Sequence, residues 1–171
     1  MFFSMKTVCF QGLETTPIDT QIQIIPGLPA VILVGLPDKA VAESRERVRA
    51  ALYALGIALP PKRIIINLSP ADIQKEGSHY DLPIALALLA TLGVIPRDAL
   101  EKYLALGELS LSGNLVHVTG VISAALFASS LSMGLICPSP SGSEAAWAGE
   151  LEILAPKNLL ALVNHFKGTQ V

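Results

Sequence analysis

The side chains best suited to chemistry crowd into one stretch, KEGSHYD from Lys75 to Asp81, directly ahead of an apolar run that reaches Gly93. Ser78, His79 and Asp81 carry the three groups of a nucleophilic triad, and free N–H groups at the start of a buried helix would favour negative charge there. Triads, however, are assembled from distant segments, because neighbours in one turn rarely reach the geometry. Capping is the simpler role. Ser78 and Asp81 supply oxygens for the orphan N–H groups of the following helix, with Asp81 as its N-cap and Pro83 in its first turn.

Other chemistries find less support. No GxxxxGK[ST] occurs and no GxGxxG follows a strand, so the chain lacks a loop that cradles nucleotide phosphates. His79, His117 and His165 are scattered without ligand spacing, so no metal is expected. Cys9 and Cys137 form no CxxC, and two free thiols are expected. Glu43, Glu46 and Glu76 read as solvated or paired carboxylates. Positive charge gathers on Arg45 and Arg49, four apart on one side of a helix, on Lys62 and Arg63, and on Lys75. These five are candidates for phosphate contact or a subunit seam. The plainer alternative is a solvated helix with Lys39–Glu43 and Glu43–Arg47 pairs.

The elements that must position these residues belong to one core-rich domain. Of 171 residues, 51% are hydrophobic and 15% charged, which excludes disorder. A net charge of −2 gives no long-range attraction to nucleic acid or anionic membrane, so any such binding needs a local patch. The opening MFFSMKTVCF lacks the apolar run and cleavage site of a signal peptide. The most apolar window, Leu82 to Ile95, is interrupted by Pro83, Thr91 and Gly93 and falls short of the ~20 residues of a membrane span. A soluble, cytoplasmic protein with no membrane partner is expected.

KTVCFQGLET alternates as a strand, with DTQIQIIPG as its hairpin partner. LPAVILVGL is a buried strand. LPDKAVAESRERVRAALYALG is a helix, entered at Asp38, with Val41, Val48, Leu52 and Leu55 along one face and Gly56 as its stop. PPKRIIINLSP is a strand, and the buried helix opening at Asp81 follows it. ALGELSLSGNLVHVTG reads as a hairpin turning at Ser112-Gly113-Asn114, VISAALFASSLSMG as a helix, and LICP as a short strand. A Ser/Pro/Gly-rich loop at 138–143 leads to a helix–strand–helix tail. Antiparallel hairpins mixed with crossovers imply an α+β domain, helices covering a sheet.

FQGLET, GLPAVILVGLPDKAVAESRERVRAAL, PKRIIINLSPADIQKEGSHYDLPIALALL and LGELSLSGNLVHVTGVISAAL together resemble the N-terminal domain of the Mg-chelatase-like competence proteins, the ComM/YifB type. The resemblance covers nearly the whole chain. In that family the domain precedes an AAA+ motor that carries the ATP- and magnesium-binding motifs. The resemblance therefore implies a fragment, 1–171, with no cofactor of its own and with that motor as a partner. For the complete protein it implies a homo-hexameric helicase acting on branched DNA during natural transformation, with this domain assisting assembly and DNA contact. DNA binding would then be weak and dependent on the ring.

The domain is in turn similar to the proteolytic domain of Lon and the C-terminal domain of RadA-type helicases, which implies a Lon-like βαβ sandwich of mixed sheet and helices. Lon-like peptidases place a serine within DGPSAG and a lysine after GE-[IV]-T-L-x-G. Those positions fall on Ile84 and Ala124, neither of which can act as nucleophile or base. Matching KDG to KEG instead brings Ser78 near the nucleophile position but still leaves Ala124 for the base. A domain without catalysis is expected; a Lon-type serine peptidase or amidase, and a protein-docking module, are the alternatives.

Overall fold

The computed structural model describes residues 2–12 and 14–168. β1 (Phe2–Gln11) and β2 (Glu14–Ile25) form a long antiparallel hairpin, Phe2 opposite Gln23 and Gln11 opposite Glu14. The sequence reading leaves Thr16 to Ile18 between the two strands, whereas the chain turns earlier, at Gly12, whose φ of +62° suits glycine. Pro17 lies inside β2 opposite Val8. The second partner of β2 pairs only from Asp19 onward, so this stretch is an edge, where proline is tolerated.

β3 (Ala30–Val34) leads to two helices, α1 (Lys39–Ala42) and α2 (Ser44–Ala54), and not to the single helix expected. Asp38 caps α1 as the sequence suggests, its Oδ1 accepting from Val41 N at 2.7 Å. β4 (Arg63–Ser69), α3 (Asp81–Thr91), α4 (Arg97–Leu100) and β5 (Tyr103–Ala105) follow. β6 (Glu108–Leu109) and β7 (Leu115–Val116) make the small hairpin around Gly113. β5, whose last residue Ala105 reads in the sequence as the start of that hairpin, joins the main sheet instead, parallel to β1. α5 (Val121–Ser130), β8 (Gly134–Ile136), α6 (Gly142–Ala145), β9 (Ile153–Leu154) and α7 (Leu159–Phe166) complete the chain.

The main sheet has seven strands in the order β3-β4-β2-β1-β5-β8-β9, antiparallel around β2 and parallel elsewhere, so the α+β expectation holds. Period-two alternation sorts its side chains between two cores. Met5, Ile22, Ile24, Ile64 and Ile66 face α2, α3 and α7; Val8, Leu104 and Leu135 face α5 and α6. All eleven residues of α3 are buried, which explains why its sequence is apolar on every side. Cys9 and Cys137 are buried and free, and burial pushes the Cys137 thiol up to about 12, keeping it protonated. Among the described residues no helix is long and apolar enough to cross a membrane.

Candidate functional site

Asp81 is the most heavily engaged side chain of the predicted site. Its carboxylate is fully buried and accepts four hydrogen bonds: Ser44 Oγ at 2.5 Å, Arg47 Nε at 2.6 Å, Arg47 Nη2 at 3.1 Å and Leu109 N at 3.0 Å. A carboxylate has about four lone-pair directions, so no lone pair remains to take a substrate proton. This corrects the capping expectation. The N-cap position of α3 belongs to Tyr80, without a side-chain cap, and Asp81 is the first helical residue. From there its carboxylate reaches sideways to α2 and to the β6–β7 hairpin. Burial pushes the Asp81 carboxyl above its ordinary range, and the bonds from Arg47, Ser44 and Leu109 N–H pull it back. The same carboxylate holds the Arg47 guanidinium protonated. Arg47 also donates to Ala40 O at 2.9 Å and lies 3.6 Å from Glu43, the expected i,i+4 pair.

The stretch around Lys75 is stitched to the loop after β3. Lys75 N donates to Leu36 O and Asp38 N donates to Lys75 O, both at 2.9 Å. Two of the segments quoted for the resemblance, VGLPD and KEG, thus touch through backbone. Gly35 adopts φ +109° there, and a Cβ on it would meet the backbone of Leu68. Lys75 itself corrects a second expectation. Its side chain is fully buried and donates through Nζ to Pro70 O, so it is not available to DNA or to a neighbouring subunit. Removal from water lowers its pKa.

Ser78, His79 and Asp81 do not form a relay. His79 is buried and its Nε2 faces Val8 O at 2.7 Å, so that nitrogen carries the proton, while Asp81 is turned toward Arg47. Burial lowers the pKa of the His79 imidazole, which favours the neutral ring.

The remaining candidate cations do come together. Arg45, Arg49, Lys62 and Arg63 are exposed at the β3 end of the sheet. Arg45 donates to Val31 O at 3.3 Å, lying across the outer edge of β3. Arg49 and Lys62 line a groove of about 320 Å³ between β3, the end of α2 and the approach to β4, together with Tyr53, Ile57, Leu59 and Pro61.

The chain matches the family model described as subunit ChlI of Mg-chelatase over residues 20–141. The chain belongs to this family. It is 47% identical to a protein named YifB from Escherichia coli K12 over 114 residues, 67% of this chain and 22% of that one. It is 44% identical to YifB of Salmonella typhimurium over 133 residues, 78% and 26%. To the competence protein ComM of Haemophilus influenzae it is 35% identical over 159 residues, 93% of the chain and 31% of that protein. The chain thus spans less than a third of the length of these relatives.

In this ChlI-family chain the two positions that resemble the Lon dyad lie in different cores. Ile84 is fully buried in α3 and Ala124 fully buried in α5, on opposite faces of the sheet. Sequence reasoning missed Ser44 and Arg47 as partners of Asp81. A signal was present: with Val48 and Ala51 they follow the i, i+3, i+4, i+7 spacing of the buried stripe of α2, and polar groups on such a stripe need a buried partner. Tyr53 was missed as well, since nothing local announces a tyrosine left in solvent.

Proposed function

We propose that the chain is the non-catalytic N-terminal domain of a Mg-chelatase-like AAA+ protein, assisting assembly of a hexameric ring and contacting DNA during transformation or recombination. In this reading ATP and magnesium belong to the motor, and the complete protein is a cytoplasmic branch-migration helicase. The observation that carries it is a local positive surface on a chain of net charge −2. Arg49, Lys62 and Arg63 are exposed at one sheet edge, with no carboxylate ion-paired to them among the described residues. The Haemophilus relative is named a competence protein, which suits a role in transformation, and the greater length of the relatives leaves room for a motor. The occupied lone pairs of Asp81 and the burial of Ile84 and Ala124 support a scaffold without hydrolytic chemistry.

The test is the mass in solution, with and without branched DNA, of this chain alone and of E. coli YifB carrying it in place of its matching segment. The expected result is a monomeric chain and a DNA-bound hexamer for the chimera. A chimera that assembles and binds no better than YifB lacking the segment would overturn the proposal. Covalent labelling of Ser78 by a fluorophosphonate probe would favour the peptidase alternative.

A further inference from the structure

The groove at the β3 edge has a chemical character that four exposed cations alone would not give it. Tyr53 projects from the last turn of α2 with 77% of its surface exposed, second among the rings only to Trp147, which lies elsewhere, after α6. It lines the same groove as two cations, Arg49 one turn earlier on α2 and Lys62 at the approach to β4. The floor and walls are apolar, including Ile57, Leu59 and Pro61, and both charged liners are positive. Glu46, the nearest carboxylate on α2, is exposed and not among the lining residues. Arg45, Arg49 and Tyr53 follow one another at four-residue steps, a rise of about 6 Å each, so the cations and the ring run in a row along the helix.

An apolar groove lined by an exposed ring and by two cations matches an unpaired nucleobase with its flanking phosphates. Base–aromatic stacking needs a base face that a duplex keeps covered, and basic residues along the groove track the backbone. A volume of about 320 Å³ is near the lower bound for small-ligand sites, room for one or two bases. We infer that this groove is a seat for single-stranded DNA, with Tyr53 stacking on a base and Arg49 and Lys62 holding the adjacent phosphates. The inference rests on the DNA-contact reading above and goes beyond it in naming the seat, the stacking residue and a preference for unpaired strands.

The experiment is an amide chemical-shift titration of the chain with a single-stranded oligothymidylate and with a blunt hairpin duplex. Wild type, Tyr53→Ala, Tyr53→Phe, Arg49→Ala/Lys62→Ala and, as a control at the other end of the sheet, Lys102→Ala are compared. Shifts confined to 49–62 and to β3 are expected, stronger with the single strand. Tyr53→Ala should bind about fivefold more weakly or worse. Tyr53→Phe and Lys102→Ala should bind as wild type. Because Tyr53 is exposed, its variants should keep the wild-type spectrum elsewhere, which separates loss of binding from loss of fold. Binding with shifts elsewhere, or unaffected by Tyr53→Ala, overturns the groove while leaving the DNA reading standing. No shift with either DNA, together with no binding by the ring-forming chimera, overturns both.

Discussion

Asp81 joins three elements through one buried carboxylate, and its neighbours determine what its loss should do. Truncating one partner of a buried ion pair typically costs about 3–5 kcal/mol, because the other charge stays behind without compensation. A helix cap is worth about 0.5–2 kcal/mol. Asp81→Ala should therefore destabilise the chain by about 3–5 kcal/mol in urea denaturation, and Arg47→Met in the same chain should recover part of the loss. A loss confined to the capping range would return Asp81 to a local role. Lys75 invites a pH test, since its buried ammonium has a pKa below the ordinary 10.5. Above about 10.5 folded and unfolded chains both hold it neutral, and its full contribution to stability is present. As pH falls below that value the unfolded chain takes up the proton first, so stability is lost until the folded pKa is passed. Relative to Lys75→Met, wild type should gain stability as pH rises toward 10.5. A flat difference between their urea midpoints across that range would mean that Lys75 is not desolvated in solution.

Among the elements, the turn from β3 into α1 links the strand edge to the Asp81 network. Gly35 combines φ +109° with a Cα packed on the backbone of Leu68, while Leu36 O and Asp38 N pair with Lys75. Gly35→Ala adds a strained conformation, about 1–2 kcal/mol, and a contact with backbone that cannot move aside. A thermal midpoint lower by several degrees is expected, and an unchanged midpoint would show that the turn can re-form. Much of this level was legible in the sequence. The continuous apolar run of α3, the Asp38 cap and the hairpin at Gly113 all follow from local pattern. What local pattern could not supply was pairing across long separations. Ser44 and Arg47 meet Asp81 from 37 and 34 positions away, and Ala105, read into the hairpin, belongs to β5, which pairs in parallel with β1 about a hundred residues earlier in the chain. Lys75 was misplaced for the same reason: a lysine in a polar turn reads as exposed until the loop after β3 is folded over it.

Across the whole molecule, charge is sparse and unevenly placed. Lys6 is paired with Asp19 and Arg47 with Asp81, while Arg49, Lys62 and Arg63 stand exposed together at the β3 end. A net charge of −2 removes long-range steering, so the proposed association with DNA would rely on these contacts at short range. Each phosphate neutralised on a single strand contributes about −0.7 to the slope of log affinity against log salt, so three cations give a slope of about −2 for one copy of the chain. Several copies on one strand would add their contacts, and the apparent affinity would rise through effective concentration without any new interaction. A salt titration of single-stranded DNA binding should therefore give a shallow slope for the isolated chain and a steeper one for the ring-forming chimera. In the isolated chain Arg49→Ala/Lys62→Ala should reduce the magnitude of the slope by about 1.4. An unchanged slope in that variant would move both residues to a subunit seam or to plain solvent. Tight, weakly salt-dependent binding by the isolated chain would remove the ring from the account altogether, since one copy would then suffice.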